Sequence, residues 1–130
     1  MGDKGKPIKS YKELDVYQGA MDLCMEIFEI TKRFPAEEKY SLTDQVRRCS
    51  RSVCANIGEA WRKRMYPAAF ISKLSDAEAE ACETEIWLEI AFRCQYLKKE
   101  QCLYLQDQCD HVMARLFRMT EQPEKWSLKK

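Results

Sequence analysis

Apolar side chains recur along this chain at alternating steps of three and four residues, the repeat of one face of an α-helix. From Asp15 onward the repeat runs Val16, Ala20, Leu23, Ile27, Ile30 and Phe34. It predicts a first helix ending near Arg33, because Pro35 disfavours helical geometry in the residue before it. Tyr17, Met21, Cys24 and Phe28 form a second stripe beside the first. Together the stripes are wider than a monomer's surface helix needs, which implies subunit contact or deep burial. Leu42, Val46, Cys49, Val53, Ile57, Ala60 and Trp61 mark a second helix running to about Arg64. Ser41 stands where a cap is needed, with Asp44 three residues on in a capping-box position. Pro67 suits the first turn of a third helix. Its seam reads Phe70, Leu74, Ala77 and Ala81, and continues through Ile86, Ile90, Cys94 and Leu97. A fourth helix carries Cys102, Leu105, Cys109, Val112, Leu116 and Met119, and stops at Pro123.

Four such helices with short connections predict an all-α fold, an antiparallel up-and-down four-helix bundle over residues 11–122. Residues 1–10 read as a flexible lead-in, and 123–130 as a tail in which Trp126 and Leu128 could dock. Four glycines and four prolines in 130 residues agree with long helices. No apolar run approaches the roughly 20 residues of a membrane span. The polar N-terminus lacks the apolar stretch of a secretion signal. The seven cysteines contain no C-x-x-C pair and fall at or beside apolar positions, so they read as reduced core thiols. The expected compartment is the cytoplasm.

A net charge of +1 argues against coating nucleic acid through bulk charge, but the charge is uneven. Ser41 to Met65 carries Arg47, Arg48, Arg51, Arg62, Lys63 and Arg64 against two acidic residues. Pro67 to Tyr96 carries six acidic residues against two basic ones. Either the two helices are neighbours with complementary flanks, or the arginines face a nucleic acid or an acidic partner surface. Arg47, Arg51, Ala55, Gly58 and Arg62 share one line on the second helix, with small residues between the arginines. A glycine there costs about 1 kcal/mol relative to alanine, and close approach of another helix would be a reason to keep it. Ser52, Asn56 and Glu59 form a polar line beside the apolar seam. It reads as a structural network fixing helix or subunit packing, or else as a binding cleft.

Enzyme chemistry finds little support. His111 is the only histidine, so the Glu-x-x-His pairs of a di-iron bundle are absent. Cys49 and Cys54 have no zinc-ligand spacing. No Gly-rich phosphate loop or nucleophile elbow occurs. We therefore expect no catalytic residues, no metal and no cofactor.

The residues also carry a family resemblance. Tyr11-Lys-Glu-Leu-Asp-Val-Tyr-Gln18, Ile30-Thr-Lys-Arg-Phe-Pro35, Gln45-Val-Arg-Arg48, Ser52-Val53 and Asn56-Ile-Gly-Glu59 together resemble the small proteins named for 23S rRNA intervening sequences, also called S23-type ribosomal proteins. The family usually reads Asn-Ile-Ala-Glu-Gly; here Gly58 precedes the glutamate and Ala60 follows it. The resemblance implies a four-helix bundle that assembles as a homopentamer around a central channel, without established enzymatic activity. Related accessory proteins of diversity-generating retroelements form similar positively charged barrels that bind nucleic acid and a reverse transcriptase. Two functions follow as expectations. The chain binds RNA or DNA through Arg47, Arg48, Arg51, Arg62, Lys63 and Arg64, or it is an interaction scaffold whose arginines serve subunit or partner contacts. An enzyme with a cleft at Asn56 and Glu59 would need a converging acid or base.

Overall fold

The computed structural model describes residues 7–126; the first part of the lead-in and, in the tail, Leu128 lie outside them. Among the described residues there are four long helices and no strand: α1 (Asp15–Thr31), α2 (Leu42–Arg62), α3 (Pro67–Arg93) and α4 (Lys99–Glu121). Single 3-10 turns at Tyr11–Glu13, Ala36–Glu38 and Pro123–Lys125 stand before α1, between α1 and α2, and after α4.

The helices bury their apolar seams against one another in two clusters. One gathers Val16, Ala20, Val53, Ile57, Phe70, Leu74, Val112 and Leu116. The other gathers Leu23, Ile27, Val46, Leu88, Leu105 and Cys109. Met113 packs against both. Cross-helix contacts give the register: Arg47 reaches Thr31, Lys73 reaches Asn56, Thr84 lies 3.1 Å from Cys49 Sγ, and Gln106 reaches the carbonyl of Glu85. The tail is anchored at Trp126, whose ring meets Trp61 edge-on at 6.4 Å.

The seams of α2 and α4 are those the repeat predicts. The second half of α3 is different. Beyond Ala81 the buried residues are Thr84, Leu88 and Ala91, whereas Ile86 is 53% and Ile90 38% exposed. The step from Ala81 to Ile86 is five residues, about 140° around a helix of 3.6 residues per turn, so the isoleucines belong to another face. Thr84 is tolerated in the core because its hydroxyl donates to the Glu80 carbonyl at 2.8 Å. The helix also stops short of Cys94 and Leu97. Gln95 adopts a left-handed φ of 67°, and the Tyr96 N–H bonds back to the Ala91 carbonyl at 2.9 Å. That is a Schellman termination without its usual glycine.

The predicted capping box of α2 is also corrected. Ser41 makes no side-chain cap; its hydroxyl donates to Glu38 Oε1 at 2.7 Å. The same oxygen accepts the Leu42 N–H at 3.2 Å, and the other accepts the Tyr96 hydroxyl at 2.8 Å. Ser41, Tyr96 and the Leu42 N–H together hold Glu38 below the usual carboxylate range. Asp44, the expected partner in the box, pairs instead with Arg48 at 3.1 Å.

Candidate nucleic-acid interface

The six cations named from the sequence separate by what lies beneath each. Arg47 is half-buried over the last turn of α1, donating to Thr31 Oγ1 at 2.7 Å and toward the Phe28 carbonyl at 3.4 Å. Its guanidinium lies 4.9 Å from the Phe28 ring centre. A cation at this end complements the helix dipole and adds a second donor to the Phe28 carbonyl, which also accepts the Thr31 hydroxyl at 3.0 Å. Arg64 lies 3.5 Å from the Trp61 ring centre and donates to the Trp61 carbonyl at 2.7 Å. Arg48 pairs with Asp44 on its own helix but stays 73% exposed at the side chain. Arg51, Arg62 and Lys63 are exposed. None of these three has an ion pair among the described residues; the Arg51 guanidinium lies 6.0 Å from the Phe28 ring centre and acts on the Cys24 thiol.

The acidic residues of α3 do not take these arginines. Among the described residues, the ion pair joining α2 to α3 is Lys73–Glu59 at 2.8 Å, a base from the acidic helix and an acid from the basic one. Lys73 also reaches Asn56 Oδ1 at 3.5 Å, and Asn56 donates to the Ser52 carbonyl and hydroxyl at 3.0 and 3.1 Å. The line Ser52, Asn56, Glu59 is thus tied across α2 and α3 by Lys73, a residue that no feature of the α2 sequence announces. Glu59 raises the Lys73 ammonium above the usual lysine range.

On the adjoining face, Arg51, Ala55, Gly58 and Arg62 form one side of an open groove of about 490 Å³, and Tyr11 and Tyr17 form the other. Tyr11 is set by its 3-10 turn, where Ser10 Oγ accepts the Lys12 N–H and Gln18 donates to the Lys12 carbonyl. The two rings meet edge-on at 4.9 Å. Within the protomer, the three atoms nearest to a methyl at Gly58 all belong to the Tyr11 ring, at 3.7, 3.8 and 3.9 Å. Within the protomer the close neighbour of this glycine is thus an aromatic ring rather than the helix expected there. The tyrosines escaped notice because Tyr11 precedes the helical repeat and Tyr17 reads as one member of an apolar stripe.

Beneath the groove, Cys54, Ser50 and Arg51 hold the buried Cys24 thiol below the usual thiol range, against the opposing effect of burial. The second stripe of α1 is therefore largely covered within the protomer: Tyr17 lies beside Tyr11, Cys24 beside Cys54, and Phe28 beneath Arg47. The exposed apolar side chains sit elsewhere, at Met25, Ile86, Ile90, Leu103, Tyr104 and Phe117 among others. Among the described residues no cluster of three His, Cys, Asp or Glu could hold a metal ion, and no helix is long and apolar enough to cross a membrane.

The sequence profile described as 23S rRNA-intervening sequence protein matches residues 12–118. The chain is similar to a solved structure from Bacteroides thetaiotaomicron, a protein with unknown function from the S23 ribosomal protein family. The two are 30% identical with a TM-score of 0.74, over 82% of this chain and 95% of that one. No curated protein matches.

Proposed function

The chain belongs to the 23S rRNA-intervening sequence protein family, and from that premise we propose that it is a non-enzymatic homo-oligomer that binds RNA or DNA through exposed cations of α2. The observation that carries the reading is the trio Arg51, Arg62 and Lys63, exposed and without an ion pair among the described residues. Such cations are free to meet phosphates, whereas Arg47 and Arg64 already serve the fold. Binding of this kind is salt-sensitive and has little sequence preference. A fluorescence-anisotropy titration with RNA and with DNA at low and high salt tests it. Affinity that falls steeply with salt is the expected result, and no binding at low salt ends the proposal.

The protomer is read as an antiparallel up-and-down bundle. The cross-helix pairs favour this: Thr31 with Arg47 and Cys24 with Cys54 run in opposite senses along α1 and α2, as do Lys73 with Asn56 and Thr84 with Cys49 along α3 and α2. A homopentamer is the assembly the family resemblance suggests. Ile86, Ile90, Leu103 and Phe117, all more than a third exposed, supply apolar surface for subunit contact. Light scattering coupled to gel filtration should then give about 77 kDa, five protomers of 15.4 kDa. A 15.4 kDa particle removes the pentamer and leaves the cation reading standing.

A further inference from the structure

We propose that the groove between α2 and the Tyr11–Tyr17 pair holds an unpaired base, so that the nucleic acid bound is single-stranded. The inference rests on the nucleic-acid reading above and adds what that reading leaves open, the form of the strand.

Four observations converge. The walls include two tyrosine rings, both partly exposed, and aromatic rings accept any base through its π-face. The groove, about 490 Å³, falls within the range of small-ligand clefts, roughly 300–1,000 Å³. A duplex presents its bases stacked and paired, and cannot insert one without extruding it. Charge then sets the direction of the strand. Arg51 and Arg62 stand at the two ends, eleven residues apart on one face, about 16 Å along the helix axis. Glu59 lines the groove between them. Lys73 already neutralises that carboxylate at 2.8 Å, so the unpaired positive charge lies at the arginine ends, where the phosphates go, and the uncharged base goes between them. Finally, the floor is kept low at a position where helix stability favours a side chain: Gly58 is followed by no turn and clashes with nothing, since an added Cβ would make only van der Waals contact with Tyr11. The Tyr11 ring thus bounds the groove directly over the glycine.

The test compares one labelled RNA as a single strand and as the duplex of the same sequence, at the same low salt, using the full-length protein. Stacking of one base supports a preference for the single strand of about five- to a hundredfold. Ala55→Gln fills the groove floor without altering charge, at an exposed helical position where glutamine is well tolerated. It should bring the ratio of the two affinities close to one. Gly58→Gln is the second variant and should do the same, while Ala114→Gln, exposed on α4 away from the groove, should leave the ratio as in the wild type. Far-UV circular dichroism reports that each variant is folded. If wild type binds both forms equally, or if both groove variants keep the full single-strand preference, the inference is overturned while salt-sensitive binding still supports the cation reading. If neither RNA binds at low salt, both fall.

Discussion

Replacing Gly58 with alanine isolates the openness of the groove in a single methyl group. The position lies inside α2, where glycine is less favourable than alanine by about 0.8–1 kcal/mol. The new Cβ would stand 3.7, 3.8 and 3.9 Å from three atoms of the Tyr11 ring, which is ordinary contact and adds a few tenths of a kcal/mol of burial at most. The sum is a stabilisation of about 1 kcal/mol. For a domain of this length that corresponds to a rise in Tm of roughly 4 °C. Thermal unfolding followed by circular dichroism at one fixed protomer concentration measures it, because oligomerisation makes Tm concentration-dependent. Gly19→Ala is the comparison: its methyl would stand 3.3 Å from Arg115 Nη1, so that side chain must move and the gain should be smaller. A fall in Tm for Gly58→Ala refutes the reasoning. It would mean that some other group, such as a neighbouring subunit, fills the space above the glycine.

Three further outcomes are expected. Arg47→Ala should lose about 1–2 kcal/mol of stability in urea titrations, because Thr31 and the Phe28 carbonyl lose a charged donor, yet change RNA affinity little. Gln95→Gly should gain about 1 kcal/mol by relieving the left-handed conformation that a side chain disfavours, seen as a higher urea midpoint with an unchanged slope. Burial first, and then Asp110 across α3 and α4, push Glu85 up to about 7 from 4.5. A carboxyl group raised in the folded state contributes stability that is full below about pH 4.5 and is lost as pH rises through about 7. Solvent screening reduces the effect to about 1 kcal/mol. Glu85→Gln should therefore be neutral near pH 4.5 and stabilising at pH 8 in parallel melts; equal differences at both values would remove the account.

The parts of the fold legible in the sequence are those where large apolar residues build the core. In α2 and α4 the residues that keep the three-four repeat, Val46, Val53, Ile57, Leu105, Val112 and Leu116, are the buried ones, and Leu103 and Phe117, off that repeat, are exposed. In α3 the relation breaks. There, beyond Ala81, Thr84, Leu88 and Ala91 form the buried face while Ile86 and Ile90 stay outside, and a periodicity that weighs side-chain size follows the wrong face. The helix ends hide their signals in the same way, since Gln95 does the work expected of a glycine and Glu38 that expected of Ser41. At the candidate site the line of arginines and small residues was readable from a period of 3.6 alone. Which arginines are free was not, because that depends on Thr31, Phe28 and Trp61, two of them on another helix. The groove was hidden for a related reason: Tyr11 reaches Gly58 from across the fold.

The central claim, that free cations of α2 carry nucleic-acid binding, is tested most directly by the salt dependence of single-stranded RNA affinity. Wild type is compared with the triple variant Arg51→Ala, Arg62→Ala, Lys63→Ala, and with Arg47→Ala. Each lost phosphate contact lowers the slope of log affinity against log salt by about 0.7 for single strands. The triple variant should therefore lose about 2 from the slope per protomer engaged, and Arg47→Ala should keep the wild-type value. A triple variant that binds with the wild-type slope would contradict the account.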